Sequence, residues 1–432
     1  MSNAMSNSTR KPVLGCIADD VTGATDLAIN LVQGGMCVVQ VLDAAAVSDV
    51  KTVDADAIVV ALKTRSIPKD DAIALSLEAL DALQDVGVER FFFKYCSTFD
   101  STERGNIGPV AESLLKALDA RQTIFCPAFP RNGRTVYHGH LFVHGKPLHE
   151  SGMANHPLNP MTDANLVRFL GKQTSRKIGL LNYDDLAAGD VASNLLSLID
   201  DGCSFVVTDA CDETHLQLLA SAVSEELLVT GGSGIARYLP DAYRTSGLFE
   251  SEPYVPSLPR NAGRGLVVAG SCSSRTLEQV AWMAKKCNAW QVDVEAVLAD
   301  PGTVLERLML WANAIDPSRA AMIYSSAKSE DVSKLQADHG RDVVAHAIET
   351  FLATATARMV DEMDVGKLVI AGGETSGAIV KGLGVRALRI GPEICAGVPW
   401  TESIGGRPLA LALKSGNFGD EDFFERALEM LA

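Results

Sequence analysis

Val13-Leu14-Gly15-Cys16-Ile17-Ala18-Asp19-Asp20-Val21-Thr22-Gly23-Ala24 decides the fold. Val13 to Ile17 reads as a short buried strand, and Gly23 to Gln33 carries the apolar spacing of a helix. Two carboxylates stand between them, at the carboxyl end of the strand. In open α/β sheets ligands bind at that edge, where the free N–H groups of a helix start attract anions. Asp19 and Asp20 could hold a metal, accept hydrogen bonds from hydroxyls or take a proton. Equally, Asp20 or Thr22 could cap the helix.

The same strand-then-helix order continues outward. Cys37 to Leu42, Ile58 to Leu62, Phe91 to Tyr95, Thr123 to Phe125, Lys177 to Leu181 and Phe205 to Val207 read as strands, and Asp70 to Gln84 and Ile107 to Leu118 as helices. Such alternation predicts parallel sheets covered by helices on both faces. Ser246 to Gly265 breaks the pattern with Pro253, Pro256, Pro259, Asn261, Gly263 and Gly265, a linker composition. A second series follows, with strands Leu266 to Ala269, Met322 to Tyr324, Leu368 to Ile370 and Leu409 to Leu413, and helices Arg275 to Lys286 and His339 to Met363. The expected fold is two α/β domains with largely parallel sheets and a ligand cleft between them. Residues 11–250 form the first domain, 251–264 the linker and 265–432 the second. Residues 1–10, with Met1-Ser2-Asn3-Ala4-Met5, read as a cloning scar and a disordered start.

Charge and composition exclude several classes. Lys plus Arg total 38 against 54 Asp plus Glu, a formal net charge of −16 with no basic run, which argues against nucleic acid as a partner. No apolar stretch reaches the roughly 18 residues of a bilayer span, so a membrane partner is not expected either. The 9 cysteines include no Cys-x-x-Cys pair and mostly lie in apolar runs, as free thiols in a reducing cytoplasm would. No metal site is assigned to the protein. Five of the 8 histidines (His138, His140, His144, His149 and His156) crowd one segment, and His138, His140 and His144 share a face if Val136 to Val143 is one strand. Their spacing lacks the short ligand pairs of a zinc module, and a pocket rim or domain contact is the expectation. Nothing here fixes an oligomeric state, a homo-oligomer included.

Two further groups of residues carry chemistry. Arg65 follows the strand Ile58 to Leu62 and Lys94 closes Phe91 to Phe93, so both fall on the same sheet edge as Asp19 and Asp20. Cations and carboxylates on one rim suit a small, polar, anionic substrate. Lys94 to Asn106 is rich in hydroxyls, including Ser97 and Ser101, and carries Asp100. In the second domain Gly270-Ser271-Cys272-Ser273, Gly372-Gly373-Glu374-Thr375-Ser376-Gly377 and Lys414-Ser415-Gly416-Asn417 follow predicted strands. Glycines there let backbone approach a phosphate, which points to a nucleotide. Ala378 and Ile379 replace the Lys and Ser/Thr of a P-loop, and no Gly-x-Gly-x-x-Gly follows the first strand of either domain.

At these residues the chain resembles the four-carbon acid sugar kinases, most closely the 3-oxo-tetronate kinases. The resemblance rests on Ile17 to Ala24, Lys94 to Asn106, Cys126-Pro127-Ala128-Phe129-Pro130, Gly133-Arg134-Thr135-Val136-Tyr137, His156-Pro157 with Pro160-Met161-Thr162-Asp163, and Ile370 to Gly377. It spans nearly the whole chain. It implies an acid-sugar-binding first domain, an ATP-binding second domain and phosphorylation of the 4-hydroxyl of a four-carbon 3-oxo acid with ATP and Mg²⁺. ATP contacts would fall on Ser271, Gly372, Gly373, Glu374, Thr375 and Gly416. Substrate contacts would fall on Asp19, Asp20, Arg65, Lys94, Ser97, Asp100 and Ser101, with Asp20 the catalytic group. One departure is that Lys94 stands farther upstream of Asp100-Ser101-Thr102-Glu103-Arg104-Gly105-Asn106 than in the broader family, so Cys96-Ser97-Thr98 is an alternative matching turn. Rival readings are a D-threonate or D-erythronate kinase, an NAD-dependent oxidoreductase or isomerase, and a non-catalytic sugar-acid binding protein.

Overall fold

The computed structural model describes residues 11–156, 159–260, 263–327, 335 and 337–431. The tag-like start, Pro157 of the His156-Pro157 motif and Asn261 of the linker lie outside them. The chain divides into two compact units, Met1–Val255 and Pro256–Ala432.

In the first unit the described strands are β1 (Leu14–Ala18), β2 (Val38–Val41), β3 (Ala57–Ala61), β4 (Phe91–Lys94), β5 (Thr123–Cys126), β6 (Arg134–Tyr137), β7 (His140–Val143), β8 (Lys146–Pro147), β9 (Ile178–Leu181), β10 (Phe205–Thr208) and β11 (Leu228–Gly231). Eight of them form one sheet, in the order β2-β3-β1-β4-β11-β5-β10-β9. All its pairings are parallel. Parallel strands covered on both faces must be apolar throughout. That is why Phe91, Phe92 and Phe93 can stand consecutively, each no more than 2% exposed. The sheet places β3, β1 and β4 side by side, with Ala18 opposite Ala61 on one flank and Lys94 on the other. The residues just past these three strand ends therefore share one rim.

The segment expected as a single strand from Val136 to Val143 is a hairpin. His138 (φ 43°) and Gly139 (φ 71°) turn the chain between β6 and β7, the two-residue turn whose twist matches antiparallel strands. His138, His140 and His144 consequently do not line one strand face. Among the described residues no cluster of three or more His, Cys, Asp or Glu is disposed to hold a metal ion.

In the second unit β12 (Arg264–Ala269), β13 (Asn288–Gln291), β14 (Ala321–Tyr324), β15 (Val365–Ala371), β16 (Ala387–Cys395), β17 (Val398–Ile404) and β18 (Ala410–Lys414) run in the order β13-β14-β12-β15-β18-β17-β16. The first five strands of that order are parallel, and β17 is antiparallel to both its neighbours. Val267, Val369, Trp400, Ala412 and Phe423 centre its core. The long helix near residue 350 spans Arg341–Glu362. The helix after β15 starts at Gly373, so most of the glycine-rich joint is its first turn. Gly373 and Gly377, poor helix formers, conceal that start in the sequence.

Candidate functional site

At the rim of the first unit, Asp20 begins the helix Val21–Gln33 without capping it through its side chain. Its carboxylate instead accepts from Arg65 Nη2. Asp19 is gripped at both oxygens, by Arg65 Nε at 2.9 Å and Nη2 at 2.7 Å. The third carboxylate, Asp100, lies 3.3 Å from Nη1. Arg65 is itself anchored, its backbone N–H donating to Asp19 O at 3.2 Å while that of Thr64 does so at 2.9 Å. Asn106 closes the arc from below, donating to Thr64 O at 2.7 Å and Ile67 O at 2.9 Å.

Arg65 therefore does not stand free for a substrate carboxylate, as the sequence suggested. It is a planar fork that holds three acids in a fixed array. Burial pushes the Asp19 carboxyl up, and the two bonds from Arg65 pull against that shift. Burial works to lower the Arg65 pKa, yet Asp19 and Asp20 outweigh it and hold the guanidinium well above its ordinary value. The two adjacent aspartates differ in access: the Asp19 side chain is 4% exposed and that of Asp20 28%.

Lys94 is almost fully buried, and its Nζ donates to Tyr95 O at 2.9 Å. Among the described residues it has no carboxylate within 4.0 Å, although its charge is felt at Asp19. A Cβ at Gly23 would strike Asp20 Oδ1 and come within 3.1 Å of Lys94 Nζ. Gly23 thus keeps the space between the Asp20 carboxylate and the Lys94 ammonium clear. Of the hydroxyls singled out, Ser101 is buried and accepts from Gln173 Nε2 at 3.0 Å, whereas Ser97 is half-buried in the turn after β4. Asn159 escaped the reading as a site residue, and His156 was read only as one of five histidines at a pocket rim or domain contact. Asn159 Nδ2 donates to Asp100 Oδ1 at 2.9 Å, and His156 Nδ1 lies 3.8 Å from that oxygen. Both come from a loop more than fifty residues downstream, and no local spacing announces them.

In the second unit all three glycine-rich joints meet at one edge. Ala269 pairs with Ala371 and Ala371 with Lys414, so the chain leaves β12, β15 and β18 at the same level. Gly270 N and Ser271 N donate to Ala371 O at 3.0 and 3.2 Å, and Gly372 N donates to Lys414 O at 2.8 Å. Gly372 has φ 129°, and a Cβ there would lie 3.2 Å from Ser271 N and 2.9 Å from Thr375 Oγ1. At Gly416 a Cβ would lie 2.6 Å from Ser271 Oγ. Backbone crowding without side chains is the geometry that lets a phosphate reach main-chain N–H groups. Two helices open at this edge, Ser274–Met283, capped by Ser273, and Gly373–Gly382. Lys414, the first residue of the third joint in the sequence, is the last residue of β18. It is completely buried, and burial lowers its ammonium to about 8.

A sugar-binding N-terminal domain model matches residues 14–239, and a nucleotide-binding C-terminal domain model matches 266–424. The chain belongs to the four-carbon acid sugar kinase family. Within it, the 3-oxo-tetronate kinase of Cupriavidus necator is 48% identical over 427 residues, 98% of each chain. That of Burkholderia multivorans is 48% identical over 431 residues, 99% of each chain. A Haemophilus influenzae crystal structure superposes with a TM-score of 0.85 at 41% identity, covering 97% of this chain and 100% of its own. No helix among the described residues is long and apolar enough to cross a membrane.

Proposed function

We propose that this protein is an ATP-dependent kinase that phosphorylates the 4-hydroxyl of a 3-oxo-tetronate. One observation carries the reading: proteins named for that activity align over 98–99% of both chains, a span that takes in the acid-rich rim and the glycine-rich edge together.

In the transfer, the acceptor hydroxyl oxygen forms the new bond to the γ-phosphorus, and the bond from that phosphorus to the β–γ bridging oxygen breaks. The hydroxyl proton leaves to a base. Phosphoryl transfer asks the protein mainly for positioning and charge compensation. Asp20 is the accessible carboxylate and fits the roles of orienting the hydroxyl and taking its proton. Asp19, Asp100, Asn159 and Asn106 hold Arg65, and through it Asp20, in place. Lys94, with N–H donors to spare, fits the substrate carboxylate, and Ser97 and Ser101 lie in the adjoining turn. Ser271 and Thr375 would hold the ATP phosphates through their hydroxyls, Gly373, Glu374 and Thr375 through main-chain N–H groups of the helix start, and Gly372 and Gly416 would leave the backbone open to them. Mg²⁺ binds such nucleotides through phosphate oxygens and water with few protein ligands. Glu374, in the first turn of the helix Gly373–Gly382, is the carboxylate at this edge that would hold such an ion. When bound, that ion neutralises phosphate charge.

Coupled ADP release over a panel of 3-oxo-tetronates, D-threonate, D-erythronate and longer acids tests the reading. Turnover is expected to be fastest on a 3-oxo-tetronate. Turnover with none of the four-carbon acids would refute it.

A further inference from the structure

We infer that Lys414 is the buried cation that balances the phosphate charge of the bound nucleotide, acting from behind the Gly416 turn. The inference rests on the nucleotide reading above and adds a residue that opens the third joint but is not among the ATP contacts expected from the sequence. Lys414 is 0% exposed, at the very end of β18. Its Nζ contacts Gly416 O at 2.9 Å, Ser415 O at 3.1 Å and Thr276 Oγ1 at 3.1 Å. All three acceptors are neutral. Among the described residues no carboxylate lies within 4.0 Å of it.

A buried charge without a counter-ion is costly, and a fold retains one where a ligand of opposite sign completes it. The surroundings indicate that ligand. Gly416 O, the acceptor of Lys414, also accepts from Ser273 Oγ at 2.6 Å and Thr276 Oγ1 at 2.9 Å, in the cap and first turn of the helix Ser274–Met283. The main chain of Lys414 reaches the second helix start, its carbonyl accepting from Gly372 N at 2.8 Å. One residue therefore ties the Gly416 turn to both helix starts, through Nζ to Thr276 and through its carbonyl to Gly372.

The titratable and charged groups felt by Lys414 are Cys395 at the end of β16 and Arg275 in the first turn of the same helix. Burial pushes Cys395 up to about 11, so it stays a neutral thiol at pH 8. Arg275 is paired with Glu278 at 2.8 Å. Neither supplies a negative charge at neutral pH.

The sign of the pH effect follows. The folded-state pKa of Lys414, about 8, lies below the ordinary 10.5. Below pH 8 the ligand-free protein bears the full cost of the charge, and this group makes it more stable as pH rises from about 8 to 10.5. Nucleotide affinity moves the opposite way, because the compensating charge is lost over the same range.

The experiment compares wild type, Lys414→Met and Lys414→Arg by calorimetric titration with ATP, ADP, AMP and adenosine in Mg²⁺ buffer, beside ligand-free melts. Lys414→Met is expected to weaken ATP by about 10- to 100-fold and ADP by less, and to leave adenosine within about twofold. Its ligand-free Tm at pH 7 is expected to be no lower than that of wild type. Wild-type ATP affinity should fall between pH 7 and 9.5 while that of Lys414→Arg stays level. Equal weakening of ATP and adenosine would make Lys414 a mere tie between loops and overturn the inference. A flat wild-type profile would do the same, and it needs no variant to fold. Wild-type protein that binds no ATP removes the nucleotide reading as well; ATP affinity that the variants leave intact removes this inference alone.

Discussion

Replacing Arg65 by Met tests the acid-rich rim most sharply. The guanidinium makes two bonds to Asp19, at 2.7 and 2.9 Å, one to Asp20 and a longer one of 3.3 Å to Asp100. Methionine keeps the stem and removes the charge, leaving three carboxylates together. Breaking a buried ion pair from one side costs about 3–5 kcal/mol. The Arg65 side chain is 20% exposed, so the lower end applies, about 3 kcal/mol. At roughly 2–4 °C per kcal/mol for a unit of this size, melting should fall by about 6–12 °C at pH 7.

The loss must also depend on pH. Burial already raises the folded Asp19 carboxyl above its unfolded value, and losing Arg65 removes what opposes that rise. The folded variant then binds a proton more readily than the unfolded chain, so its stability falls as pH increases through that range. The deficit relative to wild type should shrink on going from pH 7 to pH 5. Adding Asp19→Asn should restore part of the loss, because the buried charge goes with it. Calorimetric melts across that range give the answer. A deficit under about 0.5 kcal/mol, the size of an ordinary surface change, or one that grows with acidification would refute the ion-pair account.

Asp20→Asn should cost about 1 kcal/mol or less in melts, since Asp20 does not cap its helix and the amide oxygen can still accept from Arg65, and lower kcat by about 10²–10⁴-fold in steady-state assays. Lys94→Met should raise KM for the acid by about tenfold with KM for ATP unaltered, as expected for a charge-assisted contact worth about 1.5 kcal/mol. Gly372→Ala forces a Cβ onto a φ of 129° and against Ser271 N and Thr375 Oγ1; calorimetry should show ATP binding weakened by at least about tenfold, with acid binding intact.

The β-then-α rhythm was legible because parallel strands buried on both faces are short apolar runs, and their ends mark where ligands bind. Asp19, Asp20, Arg65 and Lys94 could be placed together on that ground alone. β11 escaped notice: Leu228-Val229-Thr230-Gly231 is too short a run to distinguish from any buried segment, although it sits mid-sheet. The antiparallel pair β16–β17 was hidden by Pro392 and Pro399, which break the alternation where the register also shifts. The saturation of Arg65 could not be read either. Asp100, Asn159 and His156 reach it or its partners only through tertiary folding, and a cation at a strand end looks the same whether one carboxylate or three await it. Lys414 likewise looks like an ordinary strand terminus until its complete burial is seen.

Phosphorus NMR of the purified protein with ATP, Mg²⁺ and a 3-oxo-tetronate tests the central claim most directly. The γ-phosphate signal should disappear as ADP and a phosphate monoester coupled to the C4 protons grow in equal amounts. ATP left intact, or converted only to ADP and inorganic phosphate, would contradict it.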